Sequence, residues 1–271
     1  MTVLRVDTIA GIGSTQFGTT LDGNVRFNSQ NYIVLPKGTS NQQGVLRDTA
    51  DVVGTGGTYY DNLVLAMPFN SATGLRDVSS RNRNPGVYGD AGISTAQSKY
   101  YGSSVGFSSV SSQHLNVGVG TDFDFGTGDF TVEWFQYWNT TPSGYQTLLS
   151  INYATNPNFA IQTNNAQAKY IVYMNGTSTA ITESSSTSIQ QWDHYAVVRS
   201  GSTVTIYRNG TSTGSTTYAG AVGNSFQPLL IGGKHPSNLY FFDGYLQDLR
   251  IYKGVAKYTA NFTPPDRMQK S

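Results

Sequence analysis

The sequence predicts an all-β protein built as an antiparallel sandwich or jelly roll, and three observations carry that prediction. Alternating apolar and polar runs recur roughly every ten to fifteen residues, with Gly, Pro, Asn or Asp between them. β-branched and aromatic residues supply most of the apolar content, including 18 Tyr and 13 Phe. No stretch repeats its apolar residues at the 3.6-residue helical period.

Length and composition bound the function. A chain of 271 residues is long enough for one large β domain, or for a domain with an appendage. Charged residues make up 12%, against about 25% in an average soluble protein. The net charge is +1 with no basic run, so nothing here marks a nucleic-acid partner. An acidic or membrane-surface partner is equally unsupported. The absence of cysteine excludes thiolate catalysis and thiolate metal sites, and argues mildly against a secreted eukaryotic setting. The first residues lack a signal-peptide layout, and no apolar run approaches the ~20 residues that span a bilayer. The expectation is a soluble chain made in a cytosol, with no membrane partner.

Two textures divide the chain, and they predict an arm and linker at residues 1–58 followed by the sandwich at 59–271. Short strand-like pieces at Val3–Ile9, Thr15–Leu21, Val25–Asn28 and Tyr32–Leu35 are too polar to bury a core of their own. A partner surface is expected to order them, another copy of the chain included. Residues 41–60 read as a Gly/Thr/Asp linker.

From Tyr59 the strands follow in order. Leu63–Phe69 is a near-continuous apolar strand, and Asp77–Gly92 reads as a polar loop. Ser104–Phe107 and His114–Val119 alternate. Asp129–Trp138 is the longest, with Phe130, Val132 and Trp134 facing a core while Thr131 and Glu133 face away. Thr147–Ile151, Phe159–Gln162 and Tyr170–Met174 come next, and Leu229–Ile231 and Gly244–Tyr252 close the series. Val255–Tyr258 is expected to form one short turn.

Gln191–Gly210 is the clearest unit: a strand from Trp192 to Arg199, a Ser200-Gly201-Ser202 turn, a strand from Thr203 to Arg208, and Asn209-Gly210. Alternation puts Trp192, His194, Ala196 and Val198 on one face and Asp193, Tyr195, Val197 and Arg199 on the other. Trp192 is expected to pack in the core; Arg199 looks exposed, and His194, exposed-looking in the strand pattern, is read as a satisfied, half-buried polar residue beside Trp192.

Five blocks resemble one family: Leu63-Val64-Leu65 to Phe69, Tyr101 to Phe107, Asp129 to Phe135, Trp192 to Arg199, and Phe242 to Tyr252. Their order and spacing over about residues 59–265 are similar to the laminin-G-like, concanavalin-A-like jelly roll. The resemblance implies two antiparallel sheets, with ligands often held by rim loops. A second resemblance lies in Phe27 to Thr39, with Leu35-Pro36-Lys37-Gly38-Thr39, followed by Gly44-Val45-Leu46-Arg47. It is similar to the N-terminal modules of tailed-bacteriophage virion proteins, although Asp48-Thr49 stands where that pattern has Tyr-Asn. Lys253 to Pro265 also resembles the end of laminin-G-like domains in phage structural proteins.

Each chemical signal has a plain structural reading beside it. Glycoside hydrolysis needs two carboxyls flanking one bond, and enzymes of the resembled fold usually place them as Glu-x-Asp-x-Glu. This chain has two glutamates, Glu133 and Glu183, and no such motif. Gly102-Ser103-Ser104-Val105-Gly106 matches a nucleophile-elbow string, but it runs on into a strand rather than a helix. His114, His194 and His235 lack zinc-ligand spacing. The resemblance implies possible Ca²⁺, for which Asn70, Asp77 and Asp243 are the candidate oxygen ligands. Such residues also simply cap turns. For glycan binding the candidates are the aromatic and hydrogen-bonding residues Trp138, Tyr145, Tyr153, Asn156, Tyr240 and Asp243.

The function expected is that of a non-enzymatic virion structural protein, joined to other virion proteins through residues 1–58 and displaying the sandwich on a fibre or head. A homo-oligomer is expected, with a trimer favoured, and host-surface polysaccharide as a possible ligand. The alternative is a polysaccharide-degrading hydrolase, in which Glu133 would carry the chemistry.

Overall fold

A computed structural model describes residues 52–53, 59–109, 112–153, 157–164, 168–175, 181–223, 226–234, 240–265 and 269–270. The arm expected at residues 1–58 therefore lies almost wholly outside the described residues. Of that stretch, β1 (Val52–Val53) pairs in parallel with β19 (Gln269–Lys270).

Two antiparallel sheets enclose the core. One has seven strands in the order β12 (Ile181–Thr182), β11 (Tyr170–Met174), β10 (Pro157–Thr163), β9 (Thr147–Tyr153), β17 (Leu229–Ile231), β6 (His114–Gly118) and β3 (Gly86–Tyr88). The other runs β15 (Thr211–Thr217), β14 (Thr203–Arg208), β13 (Trp192–Ser200), β8 (Phe130–Tyr137), β18 (Gly244–Lys253), β5 (Ser104–Phe107) and β4 (Gly92–Ser94). Its eighth strand, β2 (Leu63–Met67), shares one flank of β18 with β5: β5 pairs with Gly244–Leu246 and β2 with Leu249–Tyr252. β7 (Asp124–Gly126) and β16 (Val222–Gly223) form a small separate pair.

Inward residues of both sheets build one core. Phe130, Val132 and Trp134 of β8 meet Phe159 and Ile161 of β10 and Val172 and Met174 of β11. Burying a side chain such as Phe159 stabilises the fold by about 1.5–3 kcal/mol. The expected inward and outward faces of β8 are the observed ones. For β13 the alternation is right and the core side is reversed. Tyr195 and Val197 enter the core, while Ala196 and Val198 lie on the opposite face against Ala256, Tyr258 and Phe262. Trp192 shares that outer face, half-buried and tilted against Tyr137 at 5.7 Å.

The reason is a strap. Residues 254–265 leave β18 and cross the outer face of the eight-stranded sheet, so β13 is buried on both sides. Val255–Tyr258, expected as one short turn, run in this strap as irregular backbone with a bend at Lys257. His194 and Arg199 are each 1% exposed rather than on the surface. Arg199 donates to the carbonyls of Gly201, Tyr218 and Gly220 at 2.8–3.1 Å, tying loops to the sheet.

Asn209-Gly210 makes the β14–β15 turn, with φ of +49° and +79° as a two-residue hairpin of this kind requires. Gly210 is also where the strap docks: Phe262 N donates to Gly210 O at 2.9 Å, and a Cβ at Gly210 would stand 1.8 Å from Phe262 O. β15 was not foreseen, because Thr211–Thr217 is polar throughout and mostly exposed at the sheet edge. The Asp77–Gly92 segment, expected as a loop, contains β3, and β4 begins at its last residue.

Candidate functional site

The outer face of the seven-stranded sheet carries the aromatic patch that matters. Leu115, Val117, Leu149, Ile151, Phe159, Ile161, Val172, Leu229 and Ile231 turn inward. Alternation then turns His114, Asn116, Gln162 and Tyr173 to the other side. The seven strands contain no Asp, Glu, Lys or Arg. This face is uncharged, polar and aromatic; Gln162 and His114 are buried on it, at 1% and 8% exposed, and Asn116 and Tyr173 are half-buried.

At its edge two loops converge. Thr147 N donates to Tyr240 O at 2.6 Å, and Thr147 bridges to Phe241, joining the start of β9 to the segment before β18. The rings of Tyr145 and Tyr240 meet at 5.2 Å, tilted by 57°. Lys234, three residues beyond β17 and itself buried, holds its ammonium 4.7 Å from the Tyr240 ring centroid. Burial lowers the Lys234 ammonium below its ordinary pKa. Tyr173 joins the group: burial raises its phenol, the nearby phenols of Tyr145 and Tyr240 add to the rise, and a hydrogen bond with Gln162 opposes it. Tyr240 is 36% exposed and sits at φ +59°, a conformation rare for a bulky residue. On the other side of Phe241, His114 stacks between Phe241 at 5.9 Å and the exposed Tyr88 at 4.5 Å.

Three of the glycan-binding candidates therefore come together. Tyr145 and Tyr240 are in contact, and Asp243 lies beside them, its N–H donating to Gln146 Oε1 at 3.0 Å. Trp138 does not belong with them. It is 1% exposed, packed on Phe242 at 4.3 Å, and serves the core. The Tyr153 side chain and Asn156 lie outside the described residues. Tyr173, Gln162, Lys234, His114 and Tyr88 were missed. Tyr173 and Gln162 were legible as outward positions of strands β11 and β10; Lys234 carried no signal beyond its place after Leu229–Ile231.

The calcium candidates stay apart and their oxygens are engaged. Asp77 is fully buried, with Oδ1 accepting from the N–H groups of Ala66 and Ser79 at 2.9 Å and Oδ2 facing Arg83. Asn70 Oδ1 accepts from the N–H groups of Ala72 and Thr73 at 2.9 and 2.8 Å, as a turn-capping residue does. Asp243 accepts from the Ser109 hydroxyl at 3.0 Å. It stands at the opposite end of β18 from the Asp77–Ala66 contact, roughly 20 Å away at strand rise. Among the described residues no three His, Cys, Asp or Glu side chains are placed to hold a metal ion.

Neither glutamate is placed for hydrolysis. Glu133 lies under the strap on the other sheet, 1% exposed, with Lys257 Nζ at 2.7 Å, Tyr258 Oη at 2.6 Å and Arg250 Nη1 at 3.5 Å. Burial alone would raise its pKa, but Lys257 and Arg250 outweigh that and hold the carboxyl well below the ordinary range. Glu183, also 1% exposed, joins the two sheets, meeting Tyr170 N at 3.2 Å, Tyr195 Oη at 3.3 Å and Arg208 at 3.3 Å. Here burial wins over the Arg208 charge, and the pKa is pushed up to about 7. Ser104, the serine of the elbow-like string, is fully buried and its hydroxyl donates to Gln97 O at 2.7 Å.

This sandwich is similar to several solved structures. Domain 4 of AbnA, a GH43 extracellular arabinanase from Geobacillus stearothermophilus, solved in complex with arabinotriose, matches with a TM-score of 0.56 and 18% identity over 72% of this chain and 94% of that one. The binding domain of Paraclostridial Mosquitocidal Protein 1 matches with a TM-score of 0.56 and 18% identity, and that of botulinum neurotoxin serotype C1 with 0.53 and 15%. Each covers 73% of this chain, which spans only half the length of either binding domain. No curated protein matches the chain in sequence. Residues 109–257 match the laminin-G-type family model described as the concanavalin A-like lectin/glucanases superfamily. With the two stacked antiparallel sheets that surround that segment, the chain belongs to this superfamily.

Proposed function

We propose that the protein is a non-enzymatic carbohydrate-binding component of a tailed-phage particle. Its ligand is a polysaccharide of the host surface, held on the outer face of the seven-stranded sheet. The observation that carries this reading is the convergence of Tyr145, Tyr173, Tyr240, Gln162 and Lys234 at the edge of a sheet face with no charged strand residue. Sugar rings offer C–H faces that lie on aromatic rings, and hydroxyls that pair with amides and phenols. The arabinotriose complex of the arabinanase domain, which this chain matches over nearly all of that domain, supports the reading. The burial of Glu133 and Glu183 in ion networks away from this patch supports a binding role over hydrolysis.

The virion setting rests on the Leu35-Pro36-Lys37-Gly38-Thr39 resemblance and the polar, core-less texture before residue 59. Residues 1–58 join the protein to other virion proteins or to copies of itself, a trimer being favoured, and the sandwich is displayed on a fibre or head. Two experiments test the proposal. Retention on host polysaccharide should fall at least tenfold in the Tyr145→Ala/Tyr240→Ala double variant at unchanged melting temperature; equal retention removes the patch from the function. A chain lacking residues 1–58 should fold yet fail to join particles, and normal incorporation would sink the anchoring role.

A further inference from the structure

We propose that the strap is an acid-released cover: charging of the His194 imidazole opens residues 254–265 and uncovers the apolar face beneath them. The proposal is independent of the carbohydrate-binding reading.

The seat of His194 carries the argument. Its ring lies on the outer face of β13, 1% exposed, between Phe135 at 4.9 Å and Phe262 at 5.7 Å. Phe262 belongs to the strap, so lifting the strap is the route by which water reaches the imidazole. Neither ring nitrogen has a hydrogen-bond partner among the described residues. Glu133 Oε2 stands 3.5 Å from Nε2, but the same carboxylate already serves Lys257, Arg250 and the Tyr258 hydroxyl.

The ionisable groups facing this seat come from every element around it. β8 supplies Glu133, and β18 supplies Arg250 with Asp248 at 3.8 Å. The strap supplies Lys257 and Tyr258, and β14 supplies Tyr207, on which Phe262 also packs at 5.4 Å. Before β5, Lys99 holds its exposed ammonium 5.9 Å from the Phe135 ring, and Tyr100 packs on that ring at 5.3 Å. With His194 neutral, the buried carboxylates Glu133 and Asp248 match the buried cations Lys257 and Arg250. A charged His194 leaves an excess of positive charge under the strap.

The direction with pH follows. Burial is the largest influence on His194 and lowers its pKa below the ordinary 6.5; Glu133 opposes this, and Arg250 and Lys257 reinforce it. Neutral His194 therefore stabilises the closed strap above pH 6.5, and that contribution is lost as pH falls through the lower folded value. Glu133, also depressed, loses its share only below about pH 4.5. The strap's end contacts, Gly254 N to Asp129 O and Phe262 N to Gly210 O, join backbone groups and take up no proton. Opening uncovers Ala196, Val198 and Tyr207.

The test follows amide hydrogen exchange of the full chain at about pH 7.5 and about pH 5, each rate divided by its intrinsic value. Lys257 N, bonded to Thr131 Oγ1, and Phe262 N, bonded to Gly210 O, report the strap, and the amides of β9 and β10 report the whole fold. Strap protection should fall about tenfold further than that of the two strands, the equivalent of one pK unit. His194→Gln, neutral at both pH values, should remove this extra fall. Equal strap protection at both pH values overturns the proposal, and so does a parallel loss in strap and strands, which is global unfolding. A fall of the same size in His194→Gln assigns the opening to another group and overturns it too. NMR titration of the His194 imidazole in the unaltered protein needs no variant to fold: a pKa below 6.5 supports the proposal, and one at or above it overturns it.

Discussion

Lys257 Nζ lies 2.7 Å from Glu133 Oε1 with both side chains at most 4% exposed, although Glu133 points away from the sandwich core. The strap that carries Lys257 makes that outer face an interior. Replacing Glu133 by Gln removes the carboxylate 2.7 Å from buried Lys257 and leaves buried Arg250 with Asp248 at 3.8 Å. The expected cost is about 3–5 kcal/mol, read by urea denaturation. Polysaccharide affinity of the folded variant should not change, because Glu133 lies on the other sheet. A variant of full stability that no longer binds would instead put Glu133 in the site.

The two glutamates give stability opposite slopes with pH. Glu183 has a folded pKa of about 7, above the ordinary glutamate value of 4.5. Its contribution is complete below about pH 4.5 and is lost as pH rises through 7, a fall of about 3 kcal/mol. Glu133 is depressed, so its contribution is present above about pH 4.5 and lost as pH falls through its lower folded value. The stability of the protein relative to Glu183→Gln, followed by melting temperature, should therefore decline between about pH 4.5 and 7, the opposing slope from buried His194 being common to both. A difference that stays constant across that range would show that Glu183 does not titrate there.

Gly210→Ala strikes both the turn and the strap. The backbone there has φ +79°, and the added Cβ would overlap Phe262 O. Destabilisation well above 1 kcal/mol is expected. Limited proteolysis should show faster cutting within residues 255–265, where Phe262 stacks on Tyr258 at 3.5 Å and 4°. An uncut strap in the variant would mean that its other anchors suffice.

Trp138 and Tyr240 should separate stability from binding. Trp138→Ala removes a buried ring packed on Phe242, costing about 3–5 kcal/mol in denaturant titration. Tyr240→Ala should leave stability within about 1 kcal/mol, since the ring is partly exposed and Ala meets the same positive φ. It should weaken retention on polysaccharide. The reverse pattern would reassign the two residues.

How much of this was legible in the sequence follows from what each residue borders. Alternation in β8 announced its faces because Phe130, Val132 and Trp134 interleave with Thr131 and Glu133. In β13 both faces are covered, so Trp192 was a fair guess for the core until the strap was seen to bury Ala196 and Val198 instead. Asn209-Gly210 announced a hairpin, yet its second strand is polar and lies on an edge, where no core imposes a pattern. Tyr145 and Tyr240 were visible as aromatic loop residues, but Trp138 looked the same in one dimension. Lys234 reaches the patch only through the chain's return after β17, a long-range fact that local spacing does not encode.

The sharing of β18 between two short neighbours has a consequence for how the protein is made. β2, formed by residues 63–67, and β5, formed by 104–107, both wait for a strand that begins at residue 244. β8 waits for the same strand along its other flank. During synthesis these earlier segments therefore leave the ribosome with open edges and an uncovered apolar face. Only when residues 244–265 emerge can β18 enter between them and the strap close behind it. Such distant pairings make slow folding and exposure to aggregation the expected behaviour.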